Sequence, residues 1–300
     1  MDMTQNKCCR HGASLRRRRR RHRKILRSII FSCSIIAVAV FVAVGSRMIT
    51  SGDGRTNKYD VEAGNNTYDN VVIENSKISE KNKIQNNQSM LDDIMNSTQY
   101  PKQLQELALK NEEALEFVYD YPAEHVKEHT IDLTEEASMD SVPLFVQWDK
   151  RWGYEKYSGN FFAASGCGPT TLSMVVVYLT HNRDASPLAV AKYSKEAGYS
   201  VDGSGSSWTL ISEGCRHYGV KAKAVALDES RMKAELDAGH PIVINVGPGD
   251  FTDTGHFMVI TGYDDEGFSI NDPNSIEKSG KRWLFKNISS QIRAVWSMYV

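Results

Sequence analysis

Ser165-Gly166-Cys167-Gly168-Pro169-Thr170-Thr171 is the stretch on which the reading of this chain turns. Pro169 fits the first turn of a helix, where a missing N–H costs nothing. Leu172, Met174, Val175, Val176, Val177 and Tyr178 follow, so Gly166 to Leu179 is apolar nearly all round and predicts a long buried helix. The Cys167 thiol therefore falls at or just before a helix N-terminus. Unpaired N–H groups and the helix dipole favour negative charge there, which lowers a thiol's pKa and populates the thiolate. The flanking glycines read as room for a substrate backbone to come close.

A thiolate that attacks a carbonyl needs a base able to protonate the leaving group afterwards, and histidine suits because it titrates near neutrality. Beyond the first fifty residues the candidates are His125, His129, His181, His217, His240 and His256. His256 alone opens a strand-like run, His256-Phe257-Met258-Val259-Ile260, directly after Gly255. A base also needs a partner on its second nitrogen. Asp272 ends the strand-like run Gly267 to Asn271, and a hairpin through Asp264 to Gly267 would carry it back beside His256. An oxyanion needs donors: the Cys167 N–H is one, and the side-chain amide of Gln147, in a loop twenty residues upstream, is the candidate for the second. Trp148, Trp152 and Trp208 either line a cleft or fill the core. Cys215 reads as a small buried apolar residue.

Around this centre the chain divides. Residues 1–50 carry twelve basic side chains and one acidic one, a net +11, while the remaining 250 carry 24 basic and 36 acidic, a net −12. The basic excess lies in 1–27, just before Ser28 to Ser46, which has no charge. Nineteen residues at about 1.5 Å each give roughly 28 Å of helix, close to the hydrocarbon thickness of a bilayer. The expectation is a signal anchor at 28–46 in contact with membrane lipid, with residues 1–27 cytoplasmic and everything after 46 outside the cell. A cleaved secretory signal is the alternative, in which case the protein is secreted. The arginine run is read as topogenic, not as a nucleic-acid site.

Residues 47–95 are polar with no sustained apolar period and read as a flexible stalk. Residues 96–141 read as a helical arm and connector: Pro101 fits a first turn, and Leu104, Leu107, Ala108, Asn111, Ala114, Leu115 and Val118 at a spacing near 3.6 predict an amphipathic helix that stops near Tyr121-Pro122, with 123–142 an extended acidic segment. The domain proper is 142–300. Helix signals at 187–197, 206–217 and 229–238 precede or interleave with strand signals at Lys221–Leu227, Pro241–Val246, His256–Tyr263, Gly267–Asn271 and Val295–Tyr299, which argues α+β. No cofactor site is evident and no metal site: there is no CxxC spacing, the histidines are scattered, and Asp250 and Asp253 read as a polar turn.

Val142-Pro143-Leu144, Gln147-Trp148-Asp149-Lys150-Arg151-Trp152-Gly153, the Cys167 segment, Gly255-His256-Phe257-Met258-Val259-Ile260 and Asn271-Asp272-Pro273, in that order, resemble the C39-like peptidase family. The resemblance covers roughly 101 to 300 and is strongest from 143 to 275. It implies a papain-like cysteine peptidase fold, helices packed on an antiparallel sheet, with Cys167 as nucleophile, His256 as base, Asp272 as its orienter and Gln147 in the oxyanion hole. It also implies a peptide or protein substrate, here at the cell envelope. Well-known members remove leader peptides after a Gly-Gly pair while joined to a transporter. No transporter domain or nucleotide-binding loop is present in these residues, so that role is not expected. The expectation is a membrane-anchored extracytoplasmic peptidase. The alternatives are an amidase or acyltransferase on cell-wall peptides and a catalytically idle binding domain.

Overall fold

The computed structural model describes residues 66–300. The basic segment 1–27, the expected anchor 28–46 and the first part of the stalk lie outside them. Among the described residues no helix is long and apolar enough to cross a membrane.

The centre of the fold is a six-stranded sheet whose order in space is Lys221–Ala224, Ile292–Tyr299, Ile242–Val246, His256–Asp264, Gly267–Asn271, Arg282–Trp283, every neighbour antiparallel. Ile242–Val246 lies near the middle and is buried at all five positions, which is why its sequence is almost continuously apolar. Alternation sorts the side chains between two layers. Val243, Phe257, Val259 and Trp296 share one core with the Cys167–Thr180 helix. Ile242, Ile244, Met258 and Ile260 share another with Met232 of the Glu229–Asp237 helix and with Ile288. The Cys167–Thr180 helix is buried without interruption from Gly168 to Val177, as its all-round apolar sequence requires. The architecture is α+β, as expected.

The segment before residue 142 differs from its sequence reading. Asn66–Asn96, placed in a flexible stalk by composition, is one helix, and Ile94 near its end is fully buried. The single amphipathic helix expected from Pro101 is instead Lys102–Lys110, broken at Asn111, then turns of helix at Glu112–Ala114, Leu115–Tyr119 and Tyr121–Glu124. Asn111 is extended (φ −135°, ψ 101°), and its side chain accepts a hydrogen bond from the Glu113 N–H, so it ends one helix and caps the next turn. Helical structure does not end near Tyr121-Pro122 as expected; Pro122 sits in the first turn of Tyr121–Glu124, where proline is tolerated. In the expected extended connector, Thr134–Ala137 is a helical turn; its last residue, Ala137, and the preceding Leu133 enter the main core.

Leu104, Leu107, Ala108, Ala114, Leu115, Phe117 and Val118 form a third apolar cluster with Phe161 and Ala163, just upstream of Cys167. The arm is thus seated on the domain by burial, the dominant favourable term in packing. Gly153 shows how closely: a Cβ there would come within 2.8 Å of the Phe117 ring.

Candidate active site

Cys167 is the first residue of its fourteen-residue helix, with Gly166 as N-cap. The glycines beside it do not open the site to substrate, which corrects their sequence reading. Both are buried, and a Cβ at Gly166 would meet the Phe162 ring at 2.5 Å while one at Gly168 would meet Ser206 Oγ at 2.5 Å. They are small because the protein's own neighbours press against the helix start.

His256 begins the strand His256–Asp264, opposite Val246, and its backbone carbonyl accepts a 3.3 Å hydrogen bond from Asn245 Nδ2. Its ring Nε2 lies 2.6 Å from Asp272 Oδ1. A carboxylate only accepts, so Nε2 carries the proton and Nδ1 is the nitrogen left for the Cys167 thiol, which borders the same groove as the ring. The expected hairpin is present: Asp264 pairs with Gly267, and Val259 with Asn271.

The Asn271-Asp272-Pro273 string has a physical account at each position. Asn271 Nδ2 donates to the carbonyls of Val142 and Pro143, both at 3.1 Å, tying the strand to the start of the domain. Asp272 Oδ1 also accepts from the Asn274 N–H at 2.8 Å, and the Asp272 N–H donates to Ser279 Oγ at 2.8 Å. The Pro273 carbonyl accepts from the Gln147 N–H at 2.7 Å, so the two loops hold each other. Gln147 is buried at 4% exposure. Its Nε2 donates to the Ala163 carbonyl at 2.7 Å, leaving a second N–H on that nitrogen, and its Oε1 has no partner among the described residues.

Electrostatics sets the thiol and imidazole against burial. Burial, the largest single influence, pushes the Cys167 thiol up. The hydrogen bond and charge of His256, with the N–H groups of Phe257 and Gly168, together outweigh it and hold the thiol below its ordinary value. Burial likewise pushes the His256 ring down, but the charge and hydrogen bond of Asp272, joined by Cys167, raise it above the usual histidine range. Both shifts favour thiolate beside imidazolium. Cys215 is the contrast: fully buried, its thiol is pushed by that burial up to about 11. Neither cysteine is in a disulfide.

Two open grooves meet at Cys167. One, of about 590 Å³, includes Gln147, His256, the loop 249–255 and, from the arm, Leu107, Lys110 and Asn111. The other, of about 670 Å³, runs past Ser158, Ser206, Trp208 and Arg293. Asn160, Ala164, Thr254 and Gly255 border both. A cavity of about 740 Å³ beside Arg282 and Trp283 is larger but holds neither cysteine nor histidine. Of the tryptophans, Trp152 is core, 1% exposed, whereas Trp208 is nearly half exposed along the second groove and meets Trp296 edge-on. Among the described residues no group of three His, Cys, Asp or Glu side chains is placed to hold a metal ion.

Of the four side chains singled out from sequence, Gln147, Cys167 and His256 therefore border one groove, and Asp272, buried, meets His256 from behind without lining it. Asn274 and Ser279, which hold Asp272, and Asn111 and Glu113, which hold their loop, were not singled out. The contacts of Asn111 and Glu113 to that loop join positions up to 164 apart and leave no local signature.

A family model for the Peptidase_C39 like family matches residues 139–300. Among solved structures, the peptidase domain of Streptococcus ComA, a bi-functional ABC transporter involved in a quorum sensing pathway, is 18% identical with a TM-score of 0.39, over 53% of this chain and 96% of that one. A protein described as a C39-like peptidase from Bacillus anthracis is 17% identical with a TM-score of 0.34, over 53% of this chain and 95% of that one. Likeness at this level carries no functional weight. No curated protein matches the chain.

Proposed function

The chain belongs to the Peptidase_C39 like family, and from that premise we propose that it is a cysteine peptidase with a papain-like active site, in which Cys167 attacks, His256 moves the proton, Asp272 orients His256, and Gln147 stabilises the oxyanion. The observation that carries this reading is the position of Cys167: at a helix N-terminus, in the groove that also holds His256, whose Nε2 is 2.6 Å from a buried carboxylate, and where a second groove meets the first.

The sulfur of the thiolate forms a bond to the scissile carbonyl carbon, and the carbonyl π pair moves to oxygen. The Cys167 N–H and the remaining N–H of Gln147 Nε2 are the donors for that oxygen. As the tetrahedral species collapses, the C–N bond breaks and the His256 Nδ1 proton passes to the departing amine, leaving a thioester on Cys167. A water then gives its proton to His256 as its oxygen attacks the thioester carbon. The S–C bond breaks, and the thiolate–imidazolium pair is restored. Burial of Asp272 and His256 keeps water from competing for their hydrogen bond, so the ring stays aimed at the sulfur.

The place of action follows from residues 1–46 on the same terms. The uncharged run at 28–46 behind a strongly basic segment supports a signal anchor with the peptidase outside the cell, acting on peptide or protein substrates at the envelope. An amidase or acyltransferase on wall peptides would use the same thiol chemistry. Incubation of the purified protein with peptide libraries and with wall fragments separates the two. The reading of the site is tested by a thiol-directed activity probe under reducing conditions: the native chain is labelled at Cys167 and Cys167→Ala is not. Absence of labelling on the native chain would leave a binding domain without catalysis.

A further inference from the structure

We propose that Asn111 and Glu113, on the helical arm, are positioning residues of the active site: they fix the loop that holds Asp272 against His256. The inference rests on the peptidase reading and extends the site to residues before 139, where the family match begins.

Two contacts converge on the residues after Asp272. Asn111 Nδ2 donates to the Asn274 backbone carbonyl at 2.9 Å and lies 3.1 Å from its Oδ1, while the Asn274 N–H donates to Asp272 Oδ1 at 2.8 Å. Asn111 is thus one residue removed from the carboxylate oxygen that accepts the His256 Nε2–H hydrogen bond. Glu113 works from the other side. One of its carboxylate oxygens accepts from the Ser275 hydroxyl, and the other from the N–H groups of Ile276 and Glu277 at 2.7 and 3.0 Å. These residues begin the helical turn Ile276–Ser279, and Ser279 Oγ at its far end accepts the Asp272 N–H at 2.8 Å. A charged acceptor on those N–H groups makes the strong class of hydrogen bond.

The arm is fit to act as a rigid support. Leu104, Ala114 and Val118 beside these residues are fully buried, and the arm shares its core with Phe161 and Ala163, immediately before the nucleophile. Leu107, Lys110 and Asn111 also border the groove that holds Cys167 and His256. One element therefore touches the nucleophile's approach, the base's groove and the orienter's loop. Precise support of this kind is what holds a catalytic hydrogen bond at productive length.

The test uses the full-length protein and the rate of Cys167 alkylation by iodoacetamide against pH, read by peptide mapping, with thermal unfolding in parallel. Asn111→Asp keeps the side-chain oxygen that caps the Glu113 N–H but removes the donor to Asn274. Glu113→Gln keeps one acceptor oxygen and removes the charge. Each is expected to move the acid limb of the alkylation profile upward by about one pH unit, roughly a tenfold slower reaction on that limb, and to lower kcat of peptide hydrolysis more than it raises KM. Asn87→Ala, which removes an arm contact to Glu112 that does not reach the loop, should leave the profile unchanged. Profiles of Asn111→Asp and Glu113→Gln that superimpose on the native one, whatever happens to their melting temperatures, overturn the positioning role. An ordinary thiol profile in the native chain overturns the peptidase reading itself, and this inference with it.

Discussion

His256 Nε2 and Asp272 Oδ1 lie 2.6 Å apart, in residues only 6% and 1% exposed. In so dry a setting the pair depends on the carboxylate's charge, because an unpaired buried imidazolium would shed its proton.

Asp272→Asn tests this directly. The amide is nearly the same size and can still accept from Asn274, but it offers no charge. His256 is expected to lose its raised pKa, and Cys167 to lose the imidazolium that lowers its own. On the proposed mechanism kcat/KM should fall on the order of 10²–10⁴-fold. The loss in stability should be modest, since the ring can become neutral. A variant that melts early yet alkylates at Cys167 with the native pH profile would assign Asp272 a structural role alone.

The pH dependence follows from two opposed shifts. Cys167 is lowered, so the reactive thiolate persists on the acid side of an ordinary thiol's value of about 8.5. His256 is raised, so the imidazolium persists on the basic side of an ordinary histidine's value of about 6.5. Peptide hydrolysis should trace a bell whose acid limb lies below the first value and whose basic limb lies above the second, each limb belonging to the pair and not to either residue. Alkylation of the folded protein near neutral pH should modify Cys167 and spare Cys215, which mass mapping of the modified peptides decides. Equal labelling of the two would remove the basis for a special thiol at 167.

How far these features were legible depended on how local their causes are. The buried helix after Cys167 and the strand Ile242–Val246 announce themselves because every side chain there meets protein, so their sequences are apolar throughout. The His256–Asp272 hairpin was legible through its turn residues and the two strands it joins. The break at Asn111 was not, because leucine and alanine spacing continues across it and only the side-chain bond to the Glu113 N–H marks the stop. Gly166 and Gly168 misled for the same reason: glycine signals that something is close, and only coordinates say that it is Phe162 and Ser206, not a substrate. The helix Asn66–Asn96 has no apolar stripe to read.

The crowding at Gly168 gives a reciprocal prediction. A Cβ there would lie 2.5 Å from Ser206 Oγ and 2.7 Å from Ser206 Cβ, so Gly168→Ala should cost about 1–3 kcal/mol, in the range of overpacked cores. Ser206→Gly removes both offending atoms, at the loss of the 2.6 Å hydrogen bond with Tyr157 OH. The double variant should then recover stability relative to Gly168→Ala, a coupling that a double-mutant cycle on melting temperature reads. Strict additivity would mean that Gly168 is small for some other reason.

Glu235 provides a prediction far from the thiol. Its carboxylate is held down to about 2, first by the hydrogen bond with His240 (3.0 Å), then by Ser297 Oγ (2.7 Å) and Lys223 (3.0 Å), and it joins the Glu229–Asp237 helix to the strands Lys221–Ala224 and Ile292–Tyr299. The folded value lies below the unfolded one of about 4.3, so the unfolded chain binds the proton more readily. Its stabilisation is therefore complete above the unfolded value and fades as pH falls toward about 2. Glu235→Gln should destabilise the protein by roughly 2 kcal/mol at pH 7, as for a charged hydrogen-bond partner. The gap between variant and native chain should narrow steadily in urea melts from pH 5 to pH 3. A gap that stays constant over that interval would show that the carboxylate's charge is not what holds this edge of the sheet.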